Sequence, residues 1–245
     1  MYDWMARINS DVDSIDLDRS GSIIEESDSQ IVLAMTDSLG MPREGVDYRD
    51  TWIHKLRASS SCEIIALTQR AATTDRLQNT EMLEAYNPDV VVTQLGVVDC
   101  APRYMNRIER SLIRPLPVIK VVYKPLLKRC RLRRPRRSYV SPPEFRENLD
   151  DYYQRAATLG TDVYSIVIAP PSSLFIQANP QIEQEVVRYN EIYKTIAGQY
   201  EHVHILDPYE QITNINSIMI DHEHPNDLRH DLIHESVSSV LSNTC

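Results

Sequence analysis

Six glycines in 245 residues leave little room for phosphate-cradling loops, and none fall into G-x-G-x-x-G or a P-loop. A nucleotide-binding fold of either type is therefore not expected. No apolar run approaches the ~18–20 residues that a membrane span needs. The first 29 residues are polar and rich in Asp, Glu and Ser, without the basic start and apolar centre of a secretory signal. They read as an acidic, partly disordered lead-in, and the expected location is cytoplasmic, with association at a membrane surface left open. Cysteine is scarce. Cys62, Cys100, Cys130 and Cys245 show no C-x-x-C spacing and read as free thiols. Basic residues are outnumbered 26 to 35, and the net charge of −9 argues against nucleic acid as a general partner.

What remains suits one α/β domain over 30–245, interrupted by a basic insertion at about 112–139. Ile31–Ala34 is an apolar, β-branched run bounded by turn residues, which predicts a buried strand. Further strands are expected at Glu63–Leu67, Val90–Leu95, Asp162–Ala169 and His202–Leu206. Helices are expected at Thr51–Ser60, Asp75–Tyr86 and Ile182–Tyr200, and from Asn226 to about Leu241. Another runs from the Ser141-Pro142-Pro143-Glu144 capping box to Gly160, and the pattern over Tyr104–Ser111 is compatible with one more. Strands alternating with helices imply a parallel sheet with helices on both faces.

Two distant stretches hold the chemistry. The first strand ends in Thr36-Asp37-Ser38-Leu39-Gly40, and ligands of open parallel sheets bind beyond the carboxyl ends of strands. Far along the chain lies Asp221-His222-Glu223-His224-Pro225-Asn226. A serine nucleophile needs a base, and the base needs a carboxylate to orient it. Thr36-Asp37-Ser38-Leu39 resembles the G-D-S-L block of the SGNH/GDSL hydrolases, Asp221-x-x-His224-Pro225-Asn226 resembles their last block, and Gly96-Val97-Val98-Asp99 matches three letters of their G-x-N-D block. The resemblance spans nearly the whole chain. It implies a flavodoxin-like three-layer sandwich around a five-stranded parallel sheet in order 2-1-3-4-5. It also implies a serine esterase without a cofactor, with Ser38 as nucleophile, His224 as base and Asp221 as its orienting acid. Asp37 is expected to brace the turn that presents Ser38.

The sequence departs from that pattern around the oxyanion. Val98 stands where the family has a donor asparagine, Thr36 replaces the first glycine, and Ala71 or Ala72 replaces the glycine of the second block. Backbone N–H groups of Ser38 and Ala71 are the expected oxyanion donors. Arg70, Arg103 and Asp99 are candidates for contacting substrate, although Asp99 reads better as a loop-ordering residue. His230-x-x-x-His234 has zinc-compatible spacing but lacks H-E-x-x-H, and the resemblance puts a packing histidine at His230, so no metal is expected.

The expected substrate is an O-acyl ester of a carbohydrate or a related small ester. The same triad can serve an O-acyltransferase, and loss of the asparagine leaves room for a glycan- or protein-binding module that has lost catalysis. Lys120–Arg137 carries nine basic residues and no acid, leaving −18 on the rest of the chain. Such segregation suggests either pairing with the chain's own acidic lead-in or attraction to an anionic membrane or acidic glycan.

Overall fold

The computed structural model describes residues 29–103, 138–221 and 224–242. The acidic lead-in, the segment at Tyr104–Ser111 and the basic run Lys120–Arg137 lie outside those residues.

Five strands form one parallel sheet: β1 Ile31–Thr36, β2 Glu63–Thr68, β3 Val90–Gln94, β4 Asp162–Ile166 and β5 Val203–Leu206. Their order is β2-β1-β3-β4-β5, as the resemblance implied. β1 therefore lies inside the sheet, in register with β2 at Thr36–Thr68 and with β3 at Thr36–Gln94. Val32 to Met35 are fully buried, which is why this run is apolar throughout rather than alternating.

Helices cover both faces. On one side lie α1 Trp52–Ser59 and, much later in the chain, α8 Asp227–Leu241. Between these two in sequence come α2 Asp75–Gln78, α3 Met82–Tyr86, α4 Val97–Cys100, α5 Pro142–Leu159, α6 Ser173–Ala178 and α7 Ile182–Ala197. The α1/α8 side packs Trp52, Ile53, Leu56, Ile233 and Val237 on the sheet. The opposite core is built by α5 and α7, whose Phe145, Leu149, Tyr152, Val186, Tyr189 and Tyr193 fall at helical spacing. The capping box at Ser141 forms in full, and Gly160 takes the left-handed conformation that ends α5.

Several boundaries differ from expectation. The stretch Asp75–Tyr86 is two short helices, with Asn79, Thr80 and Glu81 between them. Asn79 bends its side chain back to the Asp75 carbonyl, satisfying a helix-end acceptor locally. The fourth strand stops at Ile166, because Asn190 takes over at Ile168, accepting from its N–H and donating to its carbonyl. The Pro170–Pro180 loop contains α6, capped by the Ser172 hydroxyl. The cysteines are not all free: Cys62 is disulfide-bonded, whereas Cys100 is a buried free thiol. Pairing depends on Cα separation in the fold, which spacing along the chain does not report. No helix among the described residues is long and apolar enough to cross a membrane.

Candidate active site

The Ser38 turn begins where β1 ends, and both neighbouring strands hold it. The Asp37 N–H donates to the Gln94 carbonyl at the end of β3, and the Thr36 carbonyl accepts from Gln69 just past β2. Asp37 then caps a one-turn 3-10 helix, Ser38–Gly40, its Oδ1 accepting from the Leu39 N–H at 2.8 Å. Asp37 thus braces the turn, as its position suggested. Arg43 secures the far side, donating from Nη2 to the Ser38 carbonyl at 2.7 Å. Thr36, in place of the family's glycine, is accommodated by Gly40. A Cβ there would sit 2.4 Å from Thr36 Oγ1.

The second stretch is a tight loop before α8. Met219 and Pro225 form an antiparallel bridge, and the Ile220 N–H donates to the His224 carbonyl. Across this loop Asp221 grips His224 twice: Oδ1 accepts from the His224 N–H at 2.9 Å, and Oδ2 meets Nδ1 at 2.7 Å. A carboxylate on Nδ1 leaves Nε2 as the basic nitrogen. Asn226 then caps α8, accepting from the Arg229 N–H. The loop comes alongside the Ser38 turn, since Leu39 and Met219 line one crevice. Among the described residues, Ser38 Oγ makes no hydrogen bond to His224. Such contacts are often long before a substrate draws them together.

The oxyanion side is less complete. The Gln69–Ala72 turn is closed by the Ala72 N–H on the Gln69 carbonyl, and Ala71 sits at φ +56°. That is glycine's preferred region, which favours Ala71 over Ala72 as the residue standing for the glycine of the second block. The Ala71 N–H makes no hydrogen bond among the described residues. Val98 is buried in α4 and offers no donor. Gly96, which caps this helix, has φ +108°, and a Cβ there would meet Ile168 at 2.8 Å.

The structure does not bring all the substrate-contact candidates to the site. Asp99 is fully buried, its Oδ1 accepting from the Thr74 N–H at 2.8 Å and the Thr74 hydroxyl at 2.6 Å. Asn148 of α5 extends the network by donating to Thr74 Oγ1. Asp99 therefore ties the loop after β2 to the loop after β3 and cannot reach substrate. Burial pushes its carboxyl up to about 6, against the Thr74 hydrogen bonds, which pull it down. Arg103 lies over the Tyr139 ring, 4.8 Å from the centroid. Arg70 is exposed on the turn beside Ala71.

His230 is a core residue. Its Nδ1 accepts from the Trp52 N–H, and burial drives its pKa down to about 3, helped by Arg229, Lys55 and Arg43. His234 contacts Ser59 instead. No group of three metal-ligating side chains occurs among the described residues.

No family model and no curated protein matches the sequence. Solved structures do match. TesA aligns with a TM-score of 0.57 at 18% identity, covering 88% of this chain and all of TesA. A catalytic mutant of Axe2, an acetylxylan esterase from Geobacillus stearothermophilus, aligns at 0.56 and 14% identity, over 86% of this chain and 93% of Axe2. A GDSL-like lipase from Bacteroides thetaiotaomicron aligns at 0.58 and 12% identity, over 88% and 89%. The chain has the SGNH/GDSL hydrolase fold. The Pro170-Pro171 pair lines the cleft of this SGNH fold, Asn190 of α7 holds the lining residue Ile168, and the Tyr189 hydroxyl donates to the Val140 carbonyl.

Sequence reasoning left two arginines without a role: Arg43, which holds the Ser38 carbonyl, and Arg229, five residues beyond His224, which lines the crevice of this SGNH fold. Gln94, which the sequence places near the loops of Arg70 and Arg103, lines it too, its Oε1 accepting from the Trp52 indole N–H at 2.9 Å. A signal for Arg229 was present: a cation in the first turn of a helix opposes the macrodipole and calls for an explanation.

Proposed function

We propose that this chain is a serine ester hydrolase acting through an acyl-enzyme. The observation that carries the reading is the 2.7 Å contact of Asp221 Oδ2 with His224 Nδ1, on a loop that shares a crevice with the Ser38 turn. Ser38 Oγ attacks the ester carbonyl while His224 Nε2 takes its proton. The tetrahedral intermediate collapses, the C–O bond to the alcohol breaks, and His224 returns the proton to the leaving oxygen. Water repeats the sequence and releases the acid. The N–H groups of Ser38 and Ala71 hold the oxyanion, without help from Val98. An acetyl ester of a carbohydrate is the favoured substrate, in keeping with the acetylxylan esterase among the similar structures. An alcohol in place of water would make the same residues an O-acyltransferase.

A fluorophosphonate probe tests the mechanism. Labelling of the wild type on Ser38 is expected, absent in Ser38→Ala and much reduced in His224→Ala. Equal hydrolysis of an aryl acetate by wild type and Ser38→Ala would sink it. The buried Val98 favours a second reading, a glycan-binding module that no longer hydrolyses. Well-folded protein that resists labelling would support that alternative.

A further inference from the structure

Beside the Ser38 turn a narrow crevice of about 430 Å³, counted out to its mouth, enters between the ends of β3 and β4. Its walls are apolar, with Leu39, Leu95, Ile168 and Phe175 among them, but two polar side chains, Gln94 and Arg229, also border it.

Both polar side chains lack a natural counterpart. Gln94 is only 4% exposed. The indole N–H of Trp52 is a donor only, so the oxygen of the Gln94 amide must face it and the NH₂ must point away. That NH₂ is buried and has no hydrogen-bond partner. Arg229 is 2% exposed. Its Nε donates to the Tyr209 hydroxyl at 3.4 Å, one terminal nitrogen reaches Met219 Sδ at 3.2 Å, and its guanidinium lies 5.1 Å from the Tyr209 ring centroid. No carboxylate pairs with it among the described residues. A buried arginine ordinarily has an acid partner. This one also occupies the first turn of α8, where the helix macrodipole opposes a cation. Two buried donors therefore border one crevice, one of them a cation with no carboxylate partner among the described residues.

We propose that Arg229 and Gln94 bind a carboxylate at this crevice, carried on the acyl chain of the substrate, so that the preferred ester is a hemiester of a short dicarboxylic acid. The apolar walls take the methylene stem, the guanidinium supplies the counter-charge, and the amide supplies a second donor. The acyl side is implicated because Leu39, the residue next to Ser38, lines the crevice. The substrate assignment rests on the esterase reading; the anion site does not.

Two measurements separate them. The first compares kcat/KM for mono-4-nitrophenyl succinate and for its neutral near-isostere, 4-nitrophenyl butyrate. A charge-assisted contact is expected to favour the succinate by about 10- to 100-fold. Arg229→Gln should bring that ratio toward one. Gln94→Glu, which keeps an acceptor for Trp52 but adds a negative charge, should bring it to one or below. The second measures the melting temperature of Ser38→Ala with free succinate and with dimethyl succinate. Only the dianion should raise it, and Arg229→Gln should abolish the rise. Ser38-dependent turnover without a succinate preference overturns the acyl-carboxylate assignment and leaves the esterase standing. No turnover of either ester, with an Arg229-dependent rise in melting temperature, removes the esterase and retains the anion site as one for free carboxylates. No preference and no rise overturns the whole proposal.

Discussion

The two halves of the candidate site are built to different standards. The base arm is over-determined: one aspartate contacts both the backbone and the ring of His224, inside a loop locked by the Met219–Pro225 bridge. The oxyanion arm rests on backbone alone, with an alanine in a glycine's conformation at Ala71 and a buried aliphatic at Val98. A proton relay needs side chains of fixed chemistry, whereas an oxyanion donor can be a main-chain N–H that survives a change of residue. The arm that can tolerate substitution is the one where this chain departs from the pattern it resembles.

Asp221→Asn gives the sharpest way to break that contrast. The amide keeps the geometry but favours the wrong imidazole tautomer, and the rate on an aryl acetate should fall by up to ~10⁴. A loss below tenfold would mean that the base arm is no better defined than the other.

Repairing the weak arm comes next. Val98→Asn should raise kcat toward small esters, by up to about 10²-fold if the loop keeps its shape. An unchanged rate in a variant of unchanged melting temperature would show that another group already fills the role.

Acid–base titration probes the scaffold beneath the two arms. Asp99 and His230 are both buried, and their linkages run in opposite directions. The raised carboxyl of Asp99 adds stability that is complete below the unfolded value near 3.9 and is lost as pH rises through about 6. The depressed imidazole of His230 adds stability that is complete above about 6.5 and is lost as pH falls toward about 3. The two slopes oppose each other between pH 4 and 6. Asp99→Asn removes one of them, so its unfolding free energy relative to wild type should rise by about 2–3 kcal/mol across that window. Parallel curves in urea at pH 4, 5, 6 and 7 would contradict this.

The smallest effect is Ala71→Gly. Relief of the left-handed backbone is expected to stabilise the fold by up to about 1 kcal/mol, less whatever glycine's extra freedom costs, with no loss of activity. A melting temperature that drops by several degrees would show that the Ala71 methyl carries packing that its exposure does not suggest.

Much of this was legible in the sequence because the signals were local. The run at Ile31–Ala34, the Ser141 capping box and the spacing of Phe145, Leu149 and Tyr152 each declare an element without reference to the rest of the chain. Asp221 and His224 lie three residues apart, so their contact was readable too. What escaped depended on partners remote in sequence. That Asp99 orders a loop was readable; that it does so through Thr74 and Asn148, from two other segments, was not. The Cys62 disulfide depends on a distance the fold decides. Arg229 and Gln94 could each be seen, but nothing in their spacing placed both at one crevice.

The packing of α8 on α1 has a kinetic consequence. Trp52 meets His230, Lys55 pairs with Asp231 and Ser59 contacts His234, three contacts at helical intervals that each span more than 170 residues of chain. Joining ends that far apart costs only about 2.5 kcal/mol more than closing a ten-residue loop, because loop entropy grows as the logarithm of length. It is slow nonetheless, since non-local contacts are made late in folding. Ser38 and His224 lie toward these same two ends, so on the proposed esterase reading the hydroxyl and its base meet only when α8 docks. On that reading, a chain held short of that step would have its sheet and its serine turn, yet no esterase activity.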